Sequence, residues 1–214
     1  FAKSEADFRA HFAATQPTDS YRVVRATGQA GFANGGDRGV RISDATGEIS
    51  RSVYPVGSAS AGRGVNFRLP ESGPSTLVLS LLADPTPGMV APEALVGPTP
   101  VDPVDPVDPV DPDVPQEPVA VAPRDLIITE FLPDNTGTDR YEYVEVANTT
   151  DRAIDLSASG IEIVYDYVTA TKPLLFPAGA TIPAGGVAAL WLNYANTVGY
   201  TKANFRTFYG STAD

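Results

Sequence analysis

The sequence predicts an all-β protein, an antiparallel β-sandwich assembled from two half-domains on either side of a disordered Pro/Asp linker. Three observations carry this reading. Short stretches of alternating apolar and polar residues recur between turn signals, the period of strands with one face on a core and one in water. Residues 99–115 read Thr-Pro, four Val-Asp-Pro triplets, then Asp-Val-Pro. Finally, segment 4–12 recurs near the other end of the chain, as segment 201–209.

Residues 1–90 form the first half. Ser4 to Phe12 opens like a short helix, with Ser4 as N-cap, Glu5 and Asp7 in the first turn, and Phe8 and Phe12 on one face. Pro17 ends it. Tyr21–Arg25 reads as a short strand, followed by a glycine-rich stretch from Gly28 to Gly39. Gly39–Ser43 and Glu48–Tyr54 alternate around Asp44-Ala45-Thr46-Gly47, a hairpin signature. Val65–Leu69 and Thr76–Ser80 add two more strands. Asn34-Gly35-Gly36-Asp37 lacks the Lys-Ser/Thr ending of a phosphate loop and reads as a turn that needs positive φ.

The linker, residues 91–123, is set apart by composition. Of the chain's 20 prolines, 12 fall between Pro85 and Pro123. Proline at every third position fixes φ and removes ladder donors, so an extended, stiff spacer is expected. Residues 90–123 carry seven acids and no Lys or Arg, so of the net charge of −11 only −4 remains on the rest. No basic patch marks a nucleic-acid surface. No apolar run reaches the roughly 20 residues of a membrane span. The absence of cysteine excludes disulfides and thiolate metal sites. A start at Phe1 without a signal-peptide pattern, and a stop at Asp214 just past a patterned segment, lead us to expect an excerpt of a longer polypeptide.

Residues 124–214 form the second half. Asp125–Leu132 is apolar enough for a central strand, and Pro133–Asp139 is a turn. Arg140–Ala147 comes next as a strand with Tyr141, Tyr143 and Glu145 on one side and Glu142, Val144 and Val146 on the other. Ala153–Leu156, Ile161–Val168 and the buried-looking Val187–Leu192 continue the pattern; Phe176–Ile182 runs into the Pro183–Gly186 turn.

Within this half, Ile127-Ile128-Thr129-Glu130-Phe131, then Asp134-Asn135 with Gly137, then Tyr141-Glu142-Tyr143-Val144-Glu145-Val146-Ala147-Asn148, then Ile154-Asp155-Leu156, resembles the opening of the lamin tail domain, bacterial secreted type. The turn from Ile182 to Gly186 before a hydrophobic strand also fits. Residues 30–88 resemble the closing part of the same family, with Asn34-Gly35-Gly36-Asp37 before a strand, Asp44 and Gly47 in the hairpin, and Asp84-Pro85-Thr86-Pro87-Gly88 as terminator. The resemblance implies an immunoglobulin-like sandwich. Segment 4–12 aligns with 201–209 at an offset of 197, with Ala, Phe and Arg identical. Back half, linker, front half is the order of an excerpt from a tandem repeat. Each half alone leaves a sandwich face uncovered, and the two can cover each other.

Candidate chemistry is sparse. His11 is the only imidazole, and its repeat counterpart is Phe208, which points to packing or surface rather than catalysis. Asp134, Asn135, Asp139 and Glu142 surround a turn and offer oxygen ligands for calcium, at a spacing unlike an EF-hand; turn chemistry is the other reading. Glu142 and Glu145, three apart in a strand, point to opposite faces, so an acid–base pair is not assumed. Asn148-Thr149-Thr150 is a glycosylation sequon by letter and a plain turn otherwise. Tyr165, Tyr167, Trp191, Tyr194 and Tyr200 offer an aromatic binding surface or, alternatively, core and cross-strand packing.

No catalytic or cofactor-binding residue is assigned, and a metal site is left open. We expect a noncatalytic binding, attachment or structural module of a larger secreted or surface bacterial protein, located extracellularly or at the cell surface. The resemblance implies a place beside extracellular nucleases, phosphoesterases and other hydrolases. The alternatives are an accessory fragment of such an enzyme and a calcium-dependent adhesion module. Expected partners are a protein or a cell-surface polysaccharide, together with neighbouring domains of the same polypeptide. Nucleic acid is not expected from the charge.

Overall fold

A computed structural model describes residues 21–28, 31–33, 38–95, 120–167, 170–192 and 197–210. The expected helix at 4–12 with His11, the Asn34–Asp37 turn, Tyr194 and the Val-Asp-Pro triplets lie outside the described residues. Before the linker run β1 (Arg22–Ala26), β2 (Arg38–Asp44), β3 (Gly47–Tyr54), β4 (Gly64–Arg68) and β5 (Leu77–Ala83). After it run β6 (Leu126–Leu132), β7 (Tyr143–Asn148), β8 (Ile154–Asp155), β9 (Glu162–Tyr167), β10 (Ala170–Leu174), β11 (Thr181–Ile182), β12 (Val187–Leu192) and the helix α1 (Lys202–Tyr209).

The larger sheet has the order β1-β12-β7-β6-β4-β5, and the smaller one β10-β9-β2-β3; β8 and β11 form a separate ribbon. Each sheet therefore combines strands from both sides of the linker. Neighbours are antiparallel except β1 and β12, which run parallel with Arg22 opposite Ala188 and Ala26 opposite Leu192.

The two sheets close on a core of Val40, Ile42, Ile49, Tyr54, Ile163 and Tyr165 against Val65, Phe67, Ile128, Phe131, Val144, Val146, Leu190 and Leu192. The larger sheet is covered on its other face as well. There Ile127, Leu132, Tyr143, Ala147, Ala189 and Trp191 meet Tyr21, Val23, Leu95 and, from α1, Phe205. Burial on both faces explains why β6 and β12 are near-continuous apolar runs while β2 and β3 alternate.

Both ends of the compositional linker pack onto this body. Pro92–Leu95 makes a 3-10 turn with Ala94 and Leu95 buried, and Leu69 N donates to Ala94 O at 2.7 Å. Val121 joins the core between the sheets. β10 carries Pro173 opposite Val164, which is tolerated because β10 is an edge strand. The α1 helix starts with a reciprocal capping box, Thr201 with Asn204, and ends at Gly210 in the left-handed conformation. At the opposite edge, β5 leaves Val78, Leu81 and Leu82 exposed.

Candidate functional site

The structure divides the residues that the sequence offered for chemistry. Around the 133–139 turn, Asn135 is buried and fully engaged. Its Nδ2 donates to Thr136 O and Thr138 O, and its Oδ1 accepts from Arg140 N and Tyr141 N at 2.9 and 2.8 Å. This is the turn chemistry of an amide bonding nearby backbone. Glu142 is directed elsewhere, accepting from Phe32 N at 3.1 Å. Asp134 and Asp139 do lie together. Burial first, then the neighbouring Asp134 charge, raises the Asp139 carboxyl above its usual range. Among the described residues no group of three or more His, Cys, Asp or Glu is arranged to hold a metal ion.

The sequon asparagine is a strut. Asn148 is fully buried at the end of β7, where Nδ2 donates to Arg152 O, Ile182 O and Pro183 O at 2.7, 3.2 and 2.9 Å. Its Oδ1 accepts from Thr150 N and Thr150 Oγ1. The amide nitrogen that a glycan would modify is thus spent on tying the 150–152 and 182–183 turns to the sheet. Asn148→Ala leaves those carbonyls without their donor, and we expect a loss of about 3 kcal/mol. Thermal melting checks this; a change within about 0.5 kcal/mol would contradict the strut role.

The aromatic residues separate into two groups. Tyr165 is in the core, its hydroxyl accepting from Ala33 N at 3.0 Å and lying 3.4 Å from the Tyr54 hydroxyl, which donates to Ala33 O. Tyr167 stands beside it at the surface, flanked by Arg38 at 4.2 Å and Lys172 at 5.7 Å. Trp191 is on the opposite face of the larger sheet, its Nε1 donating to Arg140 O at 2.6 Å. Tyr200 belongs to that second group through Tyr141, which also stacks on Phe208 at 4.2 Å. Tyr165 and Trp191 take the packing alternative, and the described residues of the set are divided between two faces.

The densest polar arrangement is one that residue types alone did not reveal. Glu130 on β6 and Glu145 on β7 are register partners, and both are buried. A bulge between Ile128 and Glu130 inserts Thr129, so that Phe131 turns to the inner core while Glu130 faces outward with Leu132. Over the two carboxyls lies the loop that leaves β5. Thr86 N donates to Glu130 Oε1 and Oε2 at 3.0 and 3.2 Å, with Thr86 Oγ1 at 3.3 Å. Gly88 N donates to Glu145 Oε2 at 2.5 Å, and Thr129 Oγ1 donates to Glu145 Oε1 at 2.6 Å. Gly88 has φ +86°, and a Cβ there would overlap the Tyr21 ring, so the close approach requires glycine.

Burial, then the charge of Glu145, pushes the Glu130 carboxyl up to about 8. Burial pushes Glu145 up to about 7, opposed by the Thr129 hydroxyl and the Gly88 amide. The pair therefore titrates together near neutrality and holds a proton that isolated carboxyls would have lost. Tyr143, on the same face of β7 as Glu145, is fully buried, and its hydroxyl lies near Glu130 without a hydrogen bond of acceptable geometry. A cavity of about 10 Å³ adjoins the pair, lined by Asn66, Thr86, Met89 and Thr129 among others, room for a single water. Chemically, the two carboxyls act as a clasp, since most of their acceptor capacity goes to holding the 86–88 loop on the sheet. The signal in the sequence was two acids inside apolar strands; their pairing depends on register, which the residue pattern leaves open.

Comparison with known proteins adds a family. Residues 120–213 match the family model described as Lamin Tail Domain. Among curated proteins, "Uncharacterized protein YvnB" of Bacillus subtilis (strain 168) is 34% identical over 90 residues, which cover 40% of this chain and 7% of that protein. The chain thus matches only a small share of this relative's length. No solved structure matches. The matched region contains β6 through α1, including Glu130, Glu145 and Asn148. The described fold is an immunoglobulin-like β-sandwich, as the resemblance implied. Over residues 120–213, the chain is thus similar to the lamin tail domain.

Proposed function

We propose that this chain is a noncatalytic attachment or assembly module of a larger secreted or surface bacterial protein. The observation that carries the reading is how its buried polar side chains are used. Glu130, Glu145, Asn135 and Asn148 direct their hydrogen bonds mostly to main-chain groups of adjacent loops, a structural use that fixes the shape of a scaffold. The match of residues 120–213 to the lamin tail domain model supports a β-sandwich module. The small share of the Bacillus relative that is matched supports a module within a long polypeptide. The acidic proline repeat suits a spacer between such modules.

Cosedimentation of the purified chain with peptidoglycan sacculi tests attachment, run in calcium and in chelator. Saturable pelleting is expected. Pelleting lost in chelator and reduced by Asp134→Ala would favour the calcium-dependent adhesion reading, for which the adjacency of Asp134 and Asp139 is the specific support. No pelleting in either condition, together with phosphodiester hydrolysis by the pure chain, would overturn the noncatalytic attachment reading.

A further inference from the structure

Positive charge gathers at one place on this acidic chain. A cleft of about 370 Å³ is bounded by β1, the 177–181 turn and the first turn of α1. It is lined by the charged Arg22 and Lys202 and by the apolar Val23, Val24, Pro177 and Ala180, among others. Two further guanidiniums act on the Lys202 amine. Burial first, then the charges of Arg206, Arg22 and Arg25, holds that amine below its usual range. Arg206 is one helical turn on from Lys202 in α1, and Arg25 is held over the Trp191 ring at 4.8 Å. Four of the chain's 15 basic side chains thus meet here, although the chain as a whole carries −11.

The other arginines are used differently. Arg41, Arg51, Arg63 and Arg152 each reach a carboxylate. Among the described residues no acid lines the cleft, and neither Arg22 nor Lys202 has an ion-paired partner. Like charges gathered in a cleft with apolar walls project a strong field into it. The arrangement is that of an anion site.

The cleft exceeds what one small anion needs, and its apolar share suits a ligand that alternates acidic and apolar groups. The chain contains such a segment. Residues 96–119 hold six acids and no Lys or Arg, with valine or proline at most other positions. Extended at about 3.1 Å per residue, Val-Asp-Pro triplets offer a carboxylate roughly every 9 Å. Proline has no backbone donor, so such a segment lies against apolar surface with fewer groups left unpaired. Residues 1–20 are a poorer source, with three acids against Lys3 and Arg9.

Position agrees with charge. The spacer leaves the body at Leu95, which packs in the outer cluster with Tyr21, Val23 and Phe205, the sequence neighbours of Arg22 and Arg206. It rejoins the body at Val121, in the core that also holds Val24 and Ala180. Val23 from the first cluster, and Val24 and Ala180 from the second, all line the cleft. Twenty-four extended residues reach about 75 Å, so length does not keep the aspartates from it.

We propose that the cleft between β1 and α1 binds this chain's own Val-Asp-Pro spacer, with aspartates facing Arg22, Arg25, Lys202 and Arg206 and with valine and proline on the apolar lining. This concerns the chain's contact with itself and does not rest on the attachment reading; sacculus binding leaves it untouched.

The test compares the intact chain with a variant in which Asp102, Asp105, Asp108 and Asp111 are all replaced by asparagine, changes that lie outside the described fold. In ¹H–¹⁵N spectra we expect the Arg22, Arg25 and Lys202 amide signals to differ between the two at low salt. They should coincide at about 0.5 M salt, where the attraction is screened. A synthetic peptide of four Val-Asp-Pro triplets should bind the variant severalfold more tightly than the wild type, whose tethered spacer competes at about millimolar effective concentration. Adding Arg22→Glu and Lys202→Glu, both at exposed positions, should weaken that binding about tenfold. Identical signals in the two chains at low salt overturn the proposal. So does peptide binding that is equal in both chains or survives the two charge reversals. Shifts caused by inorganic phosphate but not by the peptide would mark a small-anion site and also overturn it.

Discussion

Phe131→Ala is expected to destabilise the protein by about 3–5 kcal/mol, the usual cost of removing a fully buried phenylalanine. The residue is 1% exposed, lies opposite Val65 in the β4–β6 register, and contacts the rings of Phe32 and Tyr54 at 4.5 and 4.6 Å. Those partners precede the linker, whereas Tyr165, at 6.1 Å, lies after it. The cavity would open where the two segments meet, with stiff aromatic walls poorly able to collapse into it. Urea unfolding should show a lower midpoint with an unchanged slope. Leu81→Ala on the exposed edge strand serves as control, expected within about 0.5 kcal/mol. Equal effects at the two positions would show that Phe131 is not at the centre of the core.

The second large effect is a loss of stability on the alkaline side of neutrality. Glu130 and Glu145 hold their protons up to about 8 and about 7 in the folded state, against an ordinary value of 4.5. Between these limits the folded state binds more protons than the unfolded chain, so stability decreases as pH rises. The contribution is fully present below 4.5 and is lost as pH climbs through the folded-state values, at about 1.4 kcal/mol per pH unit for each proton retained. The other ionisable groups facing the pair are Tyr143 and Tyr209, both held well above their ordinary range, first by burial and then by the charge of Glu130. They stay neutral through this window. Glu130→Gln keeps an acceptor for the Thr86 amide and removes one of the two titrating carboxyls. The variant should leave stability near pH 5 little changed and flatten the decline toward pH 8. A wild-type melting temperature that rises between those two pH values would refute the shared-proton account.

Much of the fold was legible because it is written in short-range pattern. The alternation of Val40, Ile42, Ile49 and Tyr54 marked the β2–β3 hairpin, and the apolar run of β12 marked a strand buried on both faces. Asp44 caps its own turn by accepting from Thr46 N at 2.7 Å, as residue type suggests. β10 escaped because Pro173 reads as a strand breaker, and only its edge position makes it tolerable. The carboxyl clasp escaped for a different reason. Glu130 and Glu145 are 15 residues apart, and a one-residue bulge decides that they meet; local periodicity has no access to either register or bulge. Asn148 was legible as a turn residue but not as a buried one, since its three carbonyl partners come from two different loops.

The parallel pairing of β1 with β12 also sets how the module would carry a mechanical load. Tension drawn through the residues preceding β1 pulls at its Arg22 end, while tension drawn through α1 pulls at the Leu192 end of β12. Those ends lie at opposite limits of the register, so the two strands are loaded lengthwise against each other. All five registered pairs then bear the force together instead of parting one after another. A chain built this way resists stretching along the β1–β12 axis.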